Sequence, residues 1–212
     1  TVKVTPTGSS LLWSDFNEAN LEAMLTSELM SWPVTLAILV LAFGALVAAG
    51  LPLLLTLAGL VASAGSLVLI NELVPVSIWA MNFAMMFALA LGIDYALFIV
   101  VRYRAARAAH PGPHGVEPAI AQTMDTAGKA VLLSGLTVLV SLSAVMLVPS
   151  PSFRSMAGGI MISVVFVLGA TLTLLPLVLG WLDHRINKGA LPWSRSGEHR
   201  SPKFAAWGER LW

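Results

Sequence analysis

Five long apolar runs leave this chain little choice of fold. They cover about residues 31–49, 51–70, 76–101, 127–148 and 155–182, each close to the ~20 residues that carry a helix across ~30 Å of hydrocarbon. Lipid offers no water to satisfy backbone amides, so runs of this kind fold as helices, which close their hydrogen bonds within the segment. Composition agrees: 57% of the residues are hydrophobic and 11% charged, where a soluble domain carries about 25% charged residues. The expectation is an all-α, multi-pass membrane protein with five transmembrane helices. The chain has no cysteine, which removes disulfides, thiol catalysis and thiolate metal sites from consideration.

Local signals punctuate the runs. Trp32-Pro33 opens the first, with proline suited to a first helical turn, and Gly50-Leu51-Pro52 predicts a tight break before the second. Asn71-Glu72 and Pro75 separate the second from the third, and Pro149-Ser150-Pro151 ends the fourth. Residues 1–30 are polar, with Asp15, Glu18, Glu22 and Glu28 against Lys3 alone. From Ser14 onward Phe16, Leu21, Met24, Leu25 and Leu29 form a partial apolar stripe. The segment reads as the end of an extramembrane domain that enters the bilayer as a helix. Residues 184–212 form a basic tail in which Phe204, Trp207 and Leu211 are spaced for an amphipathic helix on the membrane surface. A short linker to a following segment fits the same residues. The chain starts at Thr1 with no signal-peptide pattern, which suggests a piece of something longer.

Charge placement sets an expected orientation. Arg102, Arg104, Arg107 and Lys129 lie between the third and fourth runs, and Arg185, Lys188, Arg195, Arg200, Lys203 and Arg210 follow the fifth. The opposite side holds Lys3 and Arg154 together with Asp15, Glu18, Glu22, Glu28 and Glu72. Lysine and arginine accumulate on the cytoplasmic face, so the N-terminus is expected outside and the C-terminus inside. Trp32, Trp79 and Trp181 sit at predicted span ends, where amphipathic rings favour the interface.

Asp94 breaks the apolar pattern inside the third run, with Tyr95 beside it. A carboxylate in hydrocarbon costs roughly 2.5–3.5 kcal/mol on insertion scales and marks an ion path or proton relay. Asp94 precedes Arg102 by eight residues, about 12 Å at helical rise, which places it near mid-membrane. Successive residues diverge by about 100° on a helix, so Asp94 and Tyr95 meet different surfaces. Phe98, one turn on, shares the surface of Asp94. Ala84, Ala88 and Gly92 form a small-residue strip where another helix can approach, and Gly135 does the same for the fourth span. Ser134, Thr137 and Ser141 fall on one face of that span and could either line a polar seam facing Asp94 or bond their own helix's carbonyls. Gly158-Gly159 and Gly169 mark close contacts in the fifth span, and Pro176 predicts a kink.

Other chemistries lack their residues. His110 and His114 sit in a Pro/Gly-rich loop without ligand partners, so no metal site is expected. No Gly-rich loop ends in Lys-Ser/Thr to hold nucleotide phosphates. A serine protease within the membrane would need an intramembrane histidine, and the spans contain none. The basic loop serves topology rather than nucleic acid. The chain is expected to be neither an enzyme nor a cofactor binder, with protons as the coupling ion.

Gly92-Ile93-Asp94-Tyr95-Ala96-Leu97-Phe98 followed by Val101-Arg102-Tyr103-Arg104 resembles the fourth-helix signature of the MMPL family of the resistance-nodulation-division (RND) superfamily. Thr126-Ala127-Gly128-Lys129 and Ser134-Gly135-Leu136-Thr137 are similar to the start of that family's fifth helix, and Leu174-Leu175-Pro176 to the end of its sixth. Trp13-Ser14-Asp15-Phe16 and Ser31-Trp32-Pro33 resemble the exit from its periplasmic porter domain into the second helix. The resemblance implies an RND-type bundle in which this chain supplies the second to sixth helices of the N-terminal membrane half, in a bacterial inner membrane. It implies a proton-driven exporter of lipids or other hydrophobic molecules, with Asp94 and Tyr95 as proton relay and Phe98, Ser134 and Thr137 as neighbours. The implied partners are the bilayer, a hydrophobic substrate and a second membrane half or partner subunit, and a homo-oligomer is compatible. Alternatives are a lipid-binding regulatory module like a sterol-sensing domain, or an accessory subunit of protein export.

Overall fold

A computed structural model describes residues 9–72, 77–183, 186 and 210. Its elements are α1 (Ser9–Phe43), α2 (Leu46–Asn71), α3 (Ile78–Ala109), a 3₁₀ turn (Pro113–Gly115), α4 (Val116–Thr123), a π-helical turn (Met124–Gly128), α5 (Lys129–Val145) and α6 (Pro151–Leu182). Five stretches are long and apolar enough to cross a membrane: Ser14–Phe43, Leu46–Asn71, Trp79–Ala109, Pro113–Val145 and Pro151–Leu182. The fourth is built from α4, the π turn and α5 in one line. The result is an all-α bundle consistent with an RND-type fold.

The first break differs from the one expected at Gly50-Leu51-Pro52, because α2 already runs through those residues. The chain turns instead at Gly44, whose φ of 64° is left-handed and whose N–H donates to Val40 O at 2.8 Å, closing α1 with a glycine cap. Ala45 is extended and fully buried, and α2 starts at once. Pro52 removes one ladder donor, a loss that a membrane helix tolerates when packed on neighbours. Pro33 likewise lies inside α1 rather than at its start, so the polar stretch from Ser9 and the first apolar run are one continuous helix. The notional tail helix over 204–211 lies outside the described residues, Arg210 excepted.

Helices α2, α3 and α6 form the centre, each packed on the other two, while α1 leans on α2 and α5 on α6. Small residues set the distances. A Cβ at Gly59 of α2 would stand 3.1 Å from Val167 of α6, and one at Gly135 of α5 would come within 2.6 Å of Leu168. A Cβ at Gly159 of α6 would lie 3.2 Å from the Ala80 carbonyl of α3. Buried serines add a polar stitch: Ser63 of α2 and Ser163 of α6 share a short hydrogen bond, and Ser163 also donates to Gly159 O. In lipid, where apolar burial drives little association, such close packing and interhelical hydrogen bonding hold the bundle.

Contacts at the helix ends show which ends of the bundle's helices lie together. At one end the Ser77 N–H, before α3, donates to Ser155 Oγ of α6, and the Phe16 ring of α1 meets Trp79 of α3 at 6.1 Å. There Arg154 of α6 also donates to Met146 O and Val148 O, capping the carboxyl end of α5. At the other end Arg104 of α3 donates to Phe43 O at 2.6 Å, capping α1. A cation at a helix C-terminus is favoured by the dipole as well as by the free carbonyls.

Candidate functional site

The middle of α3 is where the charged and aromatic side chains of interest sit. Along its inner face Ala84, Ala88, Ala96, Ile99, Val100 and Tyr103 are fully buried. Gly92 continues that face, and a Cβ there would come within 2.7 Å of Thr56 Oγ1 on α2. Tyr95 falls on the same side and is 4% exposed. Asp94 is turned the other way and is exposed on this chain, in line with Phe98 at 65% exposed and Val101 at 53%. The two neighbours thus meet different surroundings, about 100° apart on their helix. Asp94 makes no hydrogen bond or ion pair with any described residue, and the Tyr95 hydroxyl, though buried, has no partner among them either.

Ser134 and Thr137 are exposed on α5. Thr137 donates to Ser134 O at 2.7 Å and Ser141 to Thr137 O at 2.9 Å, so both hydroxyls return to their own backbone. Because α5 packs on α6 rather than α3, no described contact joins Asp94 to this row. Depth does relate them. Arg102 of α3 donates to Thr126 Oγ1 at 2.9 Å, pinning the two antiparallel helices together. Asp94 lies eight residues up α3 from that pin and Ser134 eight residues up the fourth span, about 12 Å in each case.

The arginine end carries a tight cluster that sequence reasoning did not foresee. Asp183, just after α6, receives Arg107 Nε at 2.6 Å and Nη2 at 3.0 Å, a bidentate pair, and the Tyr103 hydroxyl at 2.9 Å. Arg107 also donates to the carbonyls of His110 and Gly112. It therefore ties α3, the following loop and the end of α6 into one unit. The loop closes so tightly that a Cβ at Gly115 would stand 1.9 Å from the His110 carbonyl. Tyr103 and Arg107 are four residues apart, one helical face, and that spacing was the available signal. Their partner lies 80 and 76 positions away, beyond any local pattern.

Among the described residues no group of three His, Cys, Asp or Glu side chains could hold a metal ion. An open groove of about 490 Å³ is lined by Pro113, His114, Val116, Glu117, Ile120 and Ala121, at the arginine end rather than beside Asp94.

Comparison with known proteins places this arrangement. The MMPL family profile matches residues 1–209. The chain is 39% identical over 179 residues to a membrane protein of Streptomyces coelicolor, covering 84% of this chain and 25% of that protein. It is 33% identical over 205 residues to the mycolic acid-containing lipids exporter MmpL11 of Mycolicibacterium smegmatis, covering 96% of this chain and 21% of that protein. Against the heme uptake protein MmpL11 of Mycobacterium tuberculosis strain H37Rv it is 36% identical over 172 residues, covering 80% of this chain and 17% of that protein. The chain thus spans a quarter or less of the length of these relatives. Five membrane-length helices and a match over nearly every residue lead to one assignment: this multi-pass protein of the bacterial plasma membrane belongs to the MMPL family of the RND superfamily, which comprises transporters and not enzymes.

Proposed function

We propose that this chain is the relay-bearing part of a proton-motive-force-driven transporter of lipids or other hydrophobic molecules. Asp94 carries the proton and Tyr95 belongs to the same relay. The observation behind this reading is the exposure of Asp94 among apolar side chains two turns inside the arginine end. A bare carboxyl in hydrocarbon at that depth is costly, so the face it shares with Phe98 and Val101 must meet something polar in the whole protein. A second membrane half or a partner subunit fits that need. There Asp94 can bind and release a proton without displacing any described group, while Ser134 and Thr137, at the same depth, flank the relay. The arginine end faces the cytoplasm and the Ser77–Ser155 end faces outward, following the distribution of lysine and arginine. Residues 1–30 lead in from an extramembrane porter domain.

The names of the mycobacterial relatives pair mycolic acid-containing lipids with export and heme with uptake, which favours large, poorly soluble cargo. The experiment is transport by the full-length protein in vesicles under an imposed proton gradient, with a labelled lipid as cargo. Asp94→Asn removes the titrating group while keeping size and is expected to reduce gradient-driven transport to background at unchanged protein level. Full transport by that variant would overturn the relay.

A further inference from the structure

The fourth span carries one residue more than an α-helix of its course needs. Between α4 and α5 the ladder widens into the π turn Met124–Gly128, where the Lys129 amide reaches back five residues to Met124 O. A turn closed in this way holds one residue more than an α-turn, and such turns concentrate at functional sites. Gly128 leaves room for the Met124 side chain, whose methyl would stand 2.9 Å from a Cβ there. The Thr126 hydroxyl ties the turn to α4 and to α3, donating to Gln122 O at 2.8 Å and accepting from Arg102 Nε at 2.9 Å.

A second weak rung stands at the same level. A Cβ at Gly180 of α6 would lie 3.2 Å from Ile120 Cδ1 of α4, and one at Gly135 of α5 would meet Leu168 of α6. The fourth span and α6 therefore run antiparallel between those two contacts. Four residues inward from Ile120 and Gly180, about 6 Å along each helix, stand Met124 at the head of the π turn and Pro176 inside α6. Pro176 has no amide to give the Leu172 carbonyl, so α6 lacks a ladder bond where the fourth span is widened. Sharp bends in helices gather at prolines and π turns. At this level and on its arginine side both helices are bonded to α3, the fourth span through Arg102 and α6 through Arg107 and Asp183.

We propose that the π turn and Pro176 form a paired joint, at which the arginine-side ends of the fourth span and α6 tilt together against the rest of the bundle. Arg102 and Arg107 make α3 the lever, so a displacement of α3 reaches both helices at once. That α3 is displaced during transport rests on the proposed function above; the flexibility of the joint does not. Two variants of the full-length protein each stiffen one side. Pro176→Ala restores the missing amide. Deletion of Ala127 removes the surplus residue while leaving Thr126 in phase with α4 and Gly128 in phase with α5. Hydrogen exchange reads the joint without any gradient. In the unaltered protein the amides of 124–129 and 177–180 are expected to exchange faster than those of the flanking turns. Each variant is expected to slow that exchange on its own side, keep the thermal midpoint at or above its original value and reduce gradient-driven transport to background. Normal transport by either folded variant would overturn the joint, as would exchange left unchanged by either. Pro176→Ala keeps the test decisive where the deletion does not fold. Should Asp94→Asn transport normally while the stiffened variants exchange slowly and fail to transport, the relay falls and the joint stands. Normal transport by Pro176→Ala with Asp94→Asn inactive leaves the relay and removes the joint.

Discussion

Gly92 shows how one residue fixes the distance between helices. Its hypothetical Cβ falls 2.7 Å from Thr56 Oγ1 and 2.8 Å from Cγ2, and a β-branched side chain held by its own helix has little room to yield. Gly92→Ala is therefore expected to push α2 from α3 at an overpacking cost of about 1–3 kcal/mol, read as a lower unfolding midpoint. Gly65 of α2 is the control. Nothing lies within 4 Å of a Cβ there, so Gly65→Ala is expected to leave stability unchanged or raise it by up to about 1 kcal/mol through helix propensity. The spacing of Ala84, Ala88 and Gly92 was readable as a strip of small residues. That Thr56 stands against its end was not, because spacing within one helix carries no record of which neighbour comes close. The same holds for Asp94 and Tyr95: their divergence follows from helical geometry, but which of the two turns inward does not.

At the scale of elements, the apolar runs were legible because membrane thickness sets their length, and five runs correspond to five membrane-length helices. Their ends were less so. Gly50-Leu51-Pro52 looks like a stronger stop than Gly44, yet Gly44 takes the left-handed turn and α2 absorbs Pro52. Proline disrupts one rung, whereas a positive φ reverses the chain. The fourth span shows a subtler difference: it begins before residue 127, in α4 and a π turn whose Thr126 holds Arg102. Most of the loop charges that serve as a topological signal are also engaged in the bundle. Arg104 caps α1, Lys129 pairs with Asp125, and Arg107 straps α3 to the end of α6. Arg107→Met removes both arms of the bidentate pair together with the links to His110 O and Gly112 O. It is expected to lower the midpoint by about 2–4 °C or more, with Tyr103→Phe, which removes a single hydrogen bond to Asp183, causing a smaller loss. Equal effects from the two would mean that the bidentate guanidinium holds Asp183 no better than the single phenol hydrogen bond does.

For the molecule as a whole, the bundle determines which helix ends lie together. The end contacts sort the groups into two sets. Trp79, Ser77, Ser155 and Arg154 mark one end, and Arg104, Thr126, Glu117 and Asp183 mark the other. The orientation proposed above puts the second set in the cytoplasm, because lysine and arginine resist translocation in short loops. Single cysteines placed in a cysteine-free full-length protein test this directly, because the native chain contributes none of its own over these residues. Ser152 and Glu117 are suitable positions, both exposed and at opposite ends of the bundle. A membrane-impermeant maleimide is expected to label Ser152→Cys in intact cells and Glu117→Cys only after the membrane is opened. The reverse pattern would invert the bundle and place the Arg107–Asp183 strap outside. It would also reverse the side nearer to Asp94, about 12 Å in from Arg102, and with it the side from which the proposed relay would exchange its proton across the shorter distance.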